Sequence, residues 1–481
     1  MTELSLALLV VPVFWAFSEW RYALLACLAT AILQDPLRKL TPDQPVFFVA
    51  FVGVVFAGAC AGAWSRNVSL NPVNMFDRNR KILTTMSLLL FLIFAQAINS
   101  FAHFGNAMIS VIGLLTYLLP LPSIVFAYQL AGRAGEARIH QFLKAYLLLM
   151  TIALTTVYFE YAGYEWPIFG QVGGTMLLYD KYLNGILIPH SGIFRASEIA
   201  AWHAMTCACF IMLLLTLQRI NVWTISAAAI LVALLLGIGI LTGRRKTVIE
   251  VAVFASSYFI LWLIFKRGMA KVGVVVAIVG VICFSWMLSQ MSDEPAYLDQ
   301  QSLGYYRYVE RTKTAFQDTP ARFVQLGIAP ITWAYDRFGF FGAGLGVGTQ
   351  GTQHFGGGGE IAGAAEGGLG KITLELGIPG LLLIGYLGIL VFNHICQIMR
   401  EASRISTRIA ALSYGLFSFL LANMAAFTVA TQAYGDLFIL LILSWTLGFL
   451  LAIPVMLERE VRARQPAILE RPVPMLRPSV A

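Results

Sequence analysis

Residues 222–241 read VWTISAAAILVALLLGIGIL, residues 242–245 read TGRR, and residues 246–265 read KTVIEVAVFASSYFILWLIF. Two apolar runs of about 20 residues, each long enough to cross the hydrocarbon core of a bilayer as a helix, flank a turn that carries two arginines. Runs this long and unbroken exceed an ordinary strand and lack the alternation of a half-buried one. The stretch predicts a helical hairpin in a membrane, with spans at 222–241 and 247–265.

The same pattern continues in both directions. Further spans are predicted at about 46–63, 82–99, 106–130, 143–160, 197–217, 271–288, 367–393, 409–430 and 434–456. The stretch 4–33 is either one long tilted helix or two short ones broken at Ser18-Glu19-Trp20-Arg21, so the expected total is 12 or 13. Composition agrees: the 481 residues are 58% hydrophobic and 12% charged, with a mean hydropathy of +0.75, where a soluble domain is about a quarter charged. A soluble globular protein and a disordered chain are both excluded. The expected fold class is an all-α polytopic membrane protein.

The net charge is +8. It comes from span-flanking loops and gives no polar basic domain of the kind nucleic-acid binding requires, so the lipid bilayer is the expected partner. Arg66, Arg78, Arg80 and Lys81 share one loop, and Arg133, Arg138 and Lys144 another. Lys266, Arg267 and Lys271 form a third cluster, Arg400, Arg404 and Arg408 a fourth, and the tail adds Arg459, Arg462, Arg464, Arg471 and Arg477. The span list puts all of these on one side, which the positive-inside bias makes cytoplasmic. The N-terminus has no basic segment ahead of its apolar stretch and reads as no cleavable signal peptide. The organisation expected is transmembrane helices over 1–288, including an outer loop at 161–196; a large outer loop with short helices over 289–366; transmembrane helices over 367–456; and a cytoplasmic tail over 457–481. Within the large loop, Tyr305 to Gln317 reads as an amphipathic helix.

Against this background Gly243-Arg244-Arg245-Lys246-Thr247 is an anomaly, because the cations stand on the outer face. They are either headgroup anchors that snorkel from the helix ends or a clamp for an anion, for which the planar, two-pronged guanidinium suits phosphate oxygens. Arg195, just before a span, has the same two readings, and Glu198 one turn on is a possible partner for it. Arg307 and Arg311 lie four apart on one helix face, and Arg322 and Arg337 are further candidates. His203, inside a span, is expected to hydrogen-bond a neighbouring helix. His354, among glycines, has a side chain whose ordinary pKa near 6.5 suits a general base. Glu366 at the mouth of the next span is the other candidate base. Lys371 is placed to neutralise a phosphate or to pair with Glu375.

The Arg195 segment, Thr242-Gly243-Arg244-Arg245 between two spans, the large outer loop ending in Gly342-Ala343-Gly344-Leu345-Gly346-Val347-Gly348, and the re-entry Leu374-Glu375-Leu376-Gly377-Ile378-Pro379-Gly380 occur in that order. In this order and spacing, over about 185–385, the chain resembles the O-antigen ligase and O-antigen polymerase superfamily of bacterial inner-membrane glycan enzymes. Many members carry His-Asn shortly before the re-entry; here Glu366-Gly367 stands about there. The resemblance implies a glycosyltransferase built from transmembrane helices, GT-C-like and independent of metal or other cofactor. Its donor would be a glycan on undecaprenyl diphosphate, presented at the periplasmic face, with a second glycan as acceptor. A flippase and a chain-length regulator would be partners. Diphosphate-binding roles would fall to Arg195, Arg244, Arg245, Arg307, Arg311 and Lys371, and the base role to Glu366 or His354. Polymerisation of an exopolysaccharide or O-antigen repeat unit is the first reading. Ligation of a finished glycan to another acceptor is the second. Transport of a lipid-linked glycan, as by a flippase, is the alternative from another class.

Overall fold

The computed structural model describes residues 2–76, 79–174, 177–180, 185–217, 221–265, 304–312, 321–349 and 366–464. The apolar runs form helices as their length dictates. Helices α1 (Thr2–Ser18) and α2 (Ala23–Leu40) fold back on each other through 118° at Glu19, the second of the two readings of 4–33. Helix α3 (Phe51–Trp64) packs alongside α1, with Gly58 against Val13 and Gly62 against the Phe17 backbone. Helix α4 (Arg80–Phe104) ends at Gly105, which takes the left-handed conformation at φ 64°. Asn106 then caps α5 (Ala107–Leu118) by accepting the Met108 N–H at 2.9 Å, as short polar side chains do at helix N-termini. Helix α6 (Pro120–Ala134) completes the crossing begun by α5, and α7 (Glu136–Tyr161) returns.

A two-stranded antiparallel hairpin, Leu178–Asp180 with Gly185–Leu187, follows α7. Then come α8 (Ser197–Leu217), α9 (Val222–Leu241) and α10 (Lys246–Phe265). A short helix α11 spans 304–312 and overlaps the predicted 305–317 helix over 305–312; the remainder of that prediction, and the predicted span 271–288, lie outside the described residues. A π-helical segment, Phe323–Ile328, leads into α12 (Ala329–Phe338). The bundle closes with α13 (Gly368–Ile405), α14 (Thr407–Val429), α15 (Leu437–Leu451) and α16 (Ile453–Arg464). Among the described residues nine helices are long and apolar enough to cross a membrane, or eleven if each bent pair is one span. The protein is an all-α polytopic membrane protein by this architecture, with the hairpin its one described sheet.

Helices α8 and α14 form the centre: 83% and 78% of their apolar windows are buried, against 28–39% in the other long spans. Close packing of small residues permits this. Gly415 on α14 admits the Leu213 side chain of α8, and Gly448 on α15 lies against the Ile124 carbonyl of α6, the kind of backbone approach that small residues give in membrane bundles.

The two ends of the bundle differ in charge. At one end Arg408 pairs with Glu136 at 2.8 Å, Arg138 stacks over Tyr22, and Arg66 donates to the carbonyls of Phe17 and Ser18. Three of the basic loops that the sequence put on one side, those of Arg66, Arg138 and Arg408, therefore gather at one end; Lys266, Arg267 and Lys271 lie outside the described residues. The hairpin, the Gly243 turn, α11, α12 and the start of α13 gather at the other.

Candidate functional site

The site begins at the turn between α9 and α10. Thr242 and Gly243 stop α9; Gly243 sits at φ +67° with Leu178 and Pro189 nearby, where an L side chain would be strained. This turn aims Arg244 back at the first turn of α8. Arg244 pairs with Glu198, and its Nε donates to Ser197 Oγ at 3.2 Å. The pairing that spacing suggests, Glu198 with Arg195, is thus replaced by a longer-range one. Burial holds the Arg244 guanidinium below its ordinary value, opposed by the carboxylates of Glu198 and Glu366. From the other side, Arg311 on α11 donates through Nε to the Gly243 carbonyl at 3.1 Å.

Below the turn lies a cavity of about 440 Å³ between α10, the π-helical segment and α14. Arg244, Arg245, Lys246, Arg311 and Arg322 line it, five cationic side chains against one carboxylate, Glu250. Its inner wall is apolar, made by Ile249, Val253, Leu326, Ala422, Ala426 and Val429. Lys246 and Glu250 are one helical turn apart, and Lys246 Nζ and Glu250 Oε1 are buried without a hydrogen-bond partner among the described residues. A cationic mouth over an apolar interior has the chemistry to take an anionic headgroup with its lipid tail.

Glu366 sits at the rim. Its side chain is exposed, its backbone carbonyl accepts from Thr431 N at 2.7 Å, and its charge reaches Arg244. The neighbouring Gly367 lies so close to the carbonyls of Leu326 and Thr428 that a Cβ would collide with them. His354 lies outside the described residues.

The other sequence candidates are placed elsewhere. Arg195 is enclosed: Nη2 lies 2.5 Å from Asp436 Oδ2, Nη1 lies 3.4 Å from Asp35 Oδ1, and its backbone N–H donates to Asp35 Oδ2 at 3.0 Å. Burial works to lower its pKa, but Asp436 and Asp35 outweigh it and the guanidinium is held above its ordinary value. Both acids are 2% exposed. The segment before it is fixed from two more sides. Glu160 Oε2 accepts the N–H groups of Ser191 and Gly192 at 2.9 and 2.5 Å, and Lys39 donates to the carbonyls of Ile168, Gly192 and Phe194 at 2.7–3.0 Å. Arg307 is exposed on α11 and does not line the cavity, and Arg337 lies over the Trp333 ring at 5.7 Å. His203 hydrogen-bonds Tyr146 Oη of α7 at 2.7 Å, as expected for a lone intramembrane histidine. Tyr308, on the α11 face that carries Arg311, donates to the Ile188 carbonyl; burial first, then Tyr161 and Glu160, push its hydroxyl up to about 12.

Lys371 and Glu375 do not pair. Glu375, fully buried, accepts from Gly348 N at 2.9 Å, Thr349 Oγ1 at 3.0 Å and Tyr117 Oη at 2.8 Å. It thereby fastens the end of the glycine-rich loop to α5 and α13. That loop is threaded through the bundle, with Ala343 N donating to the Leu374 carbonyl at 2.8 Å and Leu345 N to the Gln96 carbonyl at 3.0 Å. Lys371 instead lines a second cavity of about 340 Å³ on the opposite face of α14.

Sequence reasoning missed Glu250, Asp35, Asp436 and the role of Glu375. The signal was present in each case: an acidic residue inside or at the end of an apolar span is expensive and therefore placed for a partner or a function. No family model matches the chain, and no curated protein sequence matches it.

Proposed function

We propose that the protein is a glycosyltransferase that polymerises undecaprenyl-diphosphate-linked oligosaccharide repeat units into an exopolysaccharide or O-antigen. In this reading the Gly243 end of the bundle faces the periplasm and the basic end the cytoplasm, in a bacterial inner membrane. The observation that supports it is the combination, in one cavity, of five cationic side chains with an apolar inner wall. A lipid diphosphate is a dianion or trianion joined to a long hydrocarbon, and both halves find their complement there.

The chemistry follows from the parts. A hydroxyl of the acceptor sugar attacks the anomeric carbon of the donor; the C–O bond to the diphosphate breaks, and its electron pair leaves with the lipid diphosphate. Arg244, Arg245 and Arg311 stabilise the charge that develops on the leaving group, worth most where the donors are preorganised and water is scarce. Glu366 at the rim takes the hydroxyl proton. Cationic side chains do here what a bound metal does in other glycosyl transfers, so turnover is expected to survive EDTA.

The test is purified full-length protein in lipid nanodiscs, supplied with a lipid-linked repeat unit. Release of undecaprenyl diphosphate together with a ladder of lengthening glycans is the expected result. Failure to release diphosphate from any lipid-linked glycan, or a strict requirement for added divalent metal, would overturn the reading.

A further inference from the structure

Helix α14 separates two cavities that start at the same end of the bundle. Ala422, Ala425, Ala426 and Val429 face the cationic cavity, and Leu420, Asn423, Met424 and Phe427 face the second. The second cavity is apolar along α5, α6 and α15 and opens on the lipid-facing surface at Met424, which is 60% exposed. Its polar lining is accounted for with one exception. Asn423 Oδ1 accepts from Trp202 Nε1 at 2.7 Å and Tyr434 Oη at 3.2 Å, and Tyr117 Oη is spent on Glu375 at 2.8 Å. The exception is Lys371. It is 6% exposed, lines the cavity, and its ammonium has no hydrogen bond or ion pair among the described residues. Its nearest acid in sequence, Glu375, is turned away to Tyr117, Gly348 and Thr349.

A buried ammonium with no partner among the described residues, at the head of a lipid-accessible apolar channel, is unfavourable alone and favourable with an anion in place. The anion that fits is one carried on a hydrocarbon chain. We infer that this cavity holds a second polyisoprenyl phosphate lipid, with its phosphate on Lys371 and its tail along α5, α6 and α15, and that this lipid anchors the acceptor. The identity of the occupant rests on the transfer reading, in which both reactants are lipid-linked. The geometry suits that role: Glu366, at the rim of the cationic cavity, is five residues from Lys371 across the first turn of α13. The candidate base is thus near the cationic headgroup position in space and near Lys371 in the chain, as transfer between two bound lipids requires.

The test measures binding without turnover. Purified full-length protein is titrated with undecaprenyl phosphate and the bound lipids are counted by native mass spectrometry. Two lipids are expected on the wild-type protein. Lys371→Met should weaken one of them by about tenfold or more and Arg245→Ala the other, while Lys371→Arg retains both. Ile384→Trp, which fills the second cavity with the lysine intact, should remove the same lipid as Lys371→Met. Undecaprenol, without the phosphate, should not occupy the Lys371 site. A single lipid on the wild-type protein, two-site binding unchanged in both Lys371→Met and Ile384→Trp, or equal occupancy by undecaprenol or phosphatidylglycerol would overturn the inference. A protein that makes no polymer yet binds two lipid phosphates in this way refutes the transfer reading and leaves the second site standing. One that polymerises with a single, Lys371-independent lipid refutes the second site alone.

Discussion

Nη2 of Arg195 lies 2.5 Å from Oδ2 of Asp436, and the other oxygen of that carboxylate caps α15 by accepting the N–H groups of Phe438 and Ile439 at 2.7 and 3.0 Å. One side chain thus ties the segment before α8 to the N-terminus of α15, and through Asp35 to α2. Arg195 has the composition of an anion ligand but is already occupied by two acids. Arg195→Ala leaves both carboxylates buried and uncompensated, a loss of about 3–5 kcal/mol for a broken buried pair. The expected outcome is a lower thermal midpoint and less protein in the membrane, beyond any effect on turnover. A variant as stable as the wild type that fails only in donor binding would return Arg195 to the role of a phosphate ligand.

Arg244 and Arg245 line the cationic cavity, so their removal should act on turnover first. A hydrogen bond to a charged group is worth about 1.5–3 kcal/mol, which is about ten- to a hundredfold in rate, and more where the contact tightens in the transition state. Arg245→Ala is the cleaner variant, since Arg244→Ala also strands Glu198. Each should lower diphosphate release at near-normal protein levels, and lysine should restore only part of it, because a point charge cannot grip two oxygens. Wild-type turnover in both alanine variants would make these residues headgroup anchors.

The glycine-rich loop gives a prediction about stability. Gly346 has φ +88° and its Cα packs on the Ile109 carbonyl, where a Cβ would collide. Gly339 has φ +72° with open space around it. Both substitutions by alanine carry the strain of a left-handed backbone, about 1–2 kcal/mol, but only Gly346→Ala adds a steric clash between α5 and the loop. Gly346→Ala should lower the thermal midpoint clearly more than Gly339→Ala does. Equal effects would show that the loop is free to move off α5.

Orientation is testable at two exposed positions. Glu165 lies beyond α7 at the cavity end and Arg404 at the basic end. In a background lacking the native cysteines, Glu165→Cys should react with an impermeant thiol reagent in intact spheroplasts and Arg404→Cys only after lysis. The reverse pattern would put the cationic cavity on the cytoplasmic side and remove periplasmic transfer from consideration.

The membrane class and the apolar spans among the described residues were legible because hydropathy over 20 residues decides them. The bend at Glu19 was legible as a break but not as a 118° reversal, since nothing local sets that angle. The Gly243-Arg244-Arg245 turn stood out because it violates the charge bias around it. Which arginines share a cavity did not, because that depends on contacts between residues far apart in the chain. Arg244 meets Ser197, 47 residues away, and Arg311 meets Gly243, 68 residues away. Spacing suggested Lys371 with Glu375 and Arg195 with Glu198, both at short helical intervals. Both gave way to longer-range partners, for burial rewards a carboxylate that collects several donors at once, as Glu375 does from Tyr117, Gly348 and Thr349.

The last prediction concerns the base. Glu366 is held at the rim of the cavity by its own backbone, through Thr431, and by the close seat of Gly367 against Leu326, and its charge acts on Arg244. A carboxylate at that rim can accept the hydroxyl proton of a bound acceptor. Glu366→Gln keeps the shape and removes the basicity. The expected result is a loss of turnover of about a hundredfold or more with donor binding retained. His354→Ala, assayed beside it, should retain most turnover if Glu366 is the base, and the two results exchange if the histidine is. Wild-type turnover in both variants would sink the general-base step at either position. The hydroxyl proton would then pass to solvent or to the leaving diphosphate, and catalysis would rest on the arginines alone.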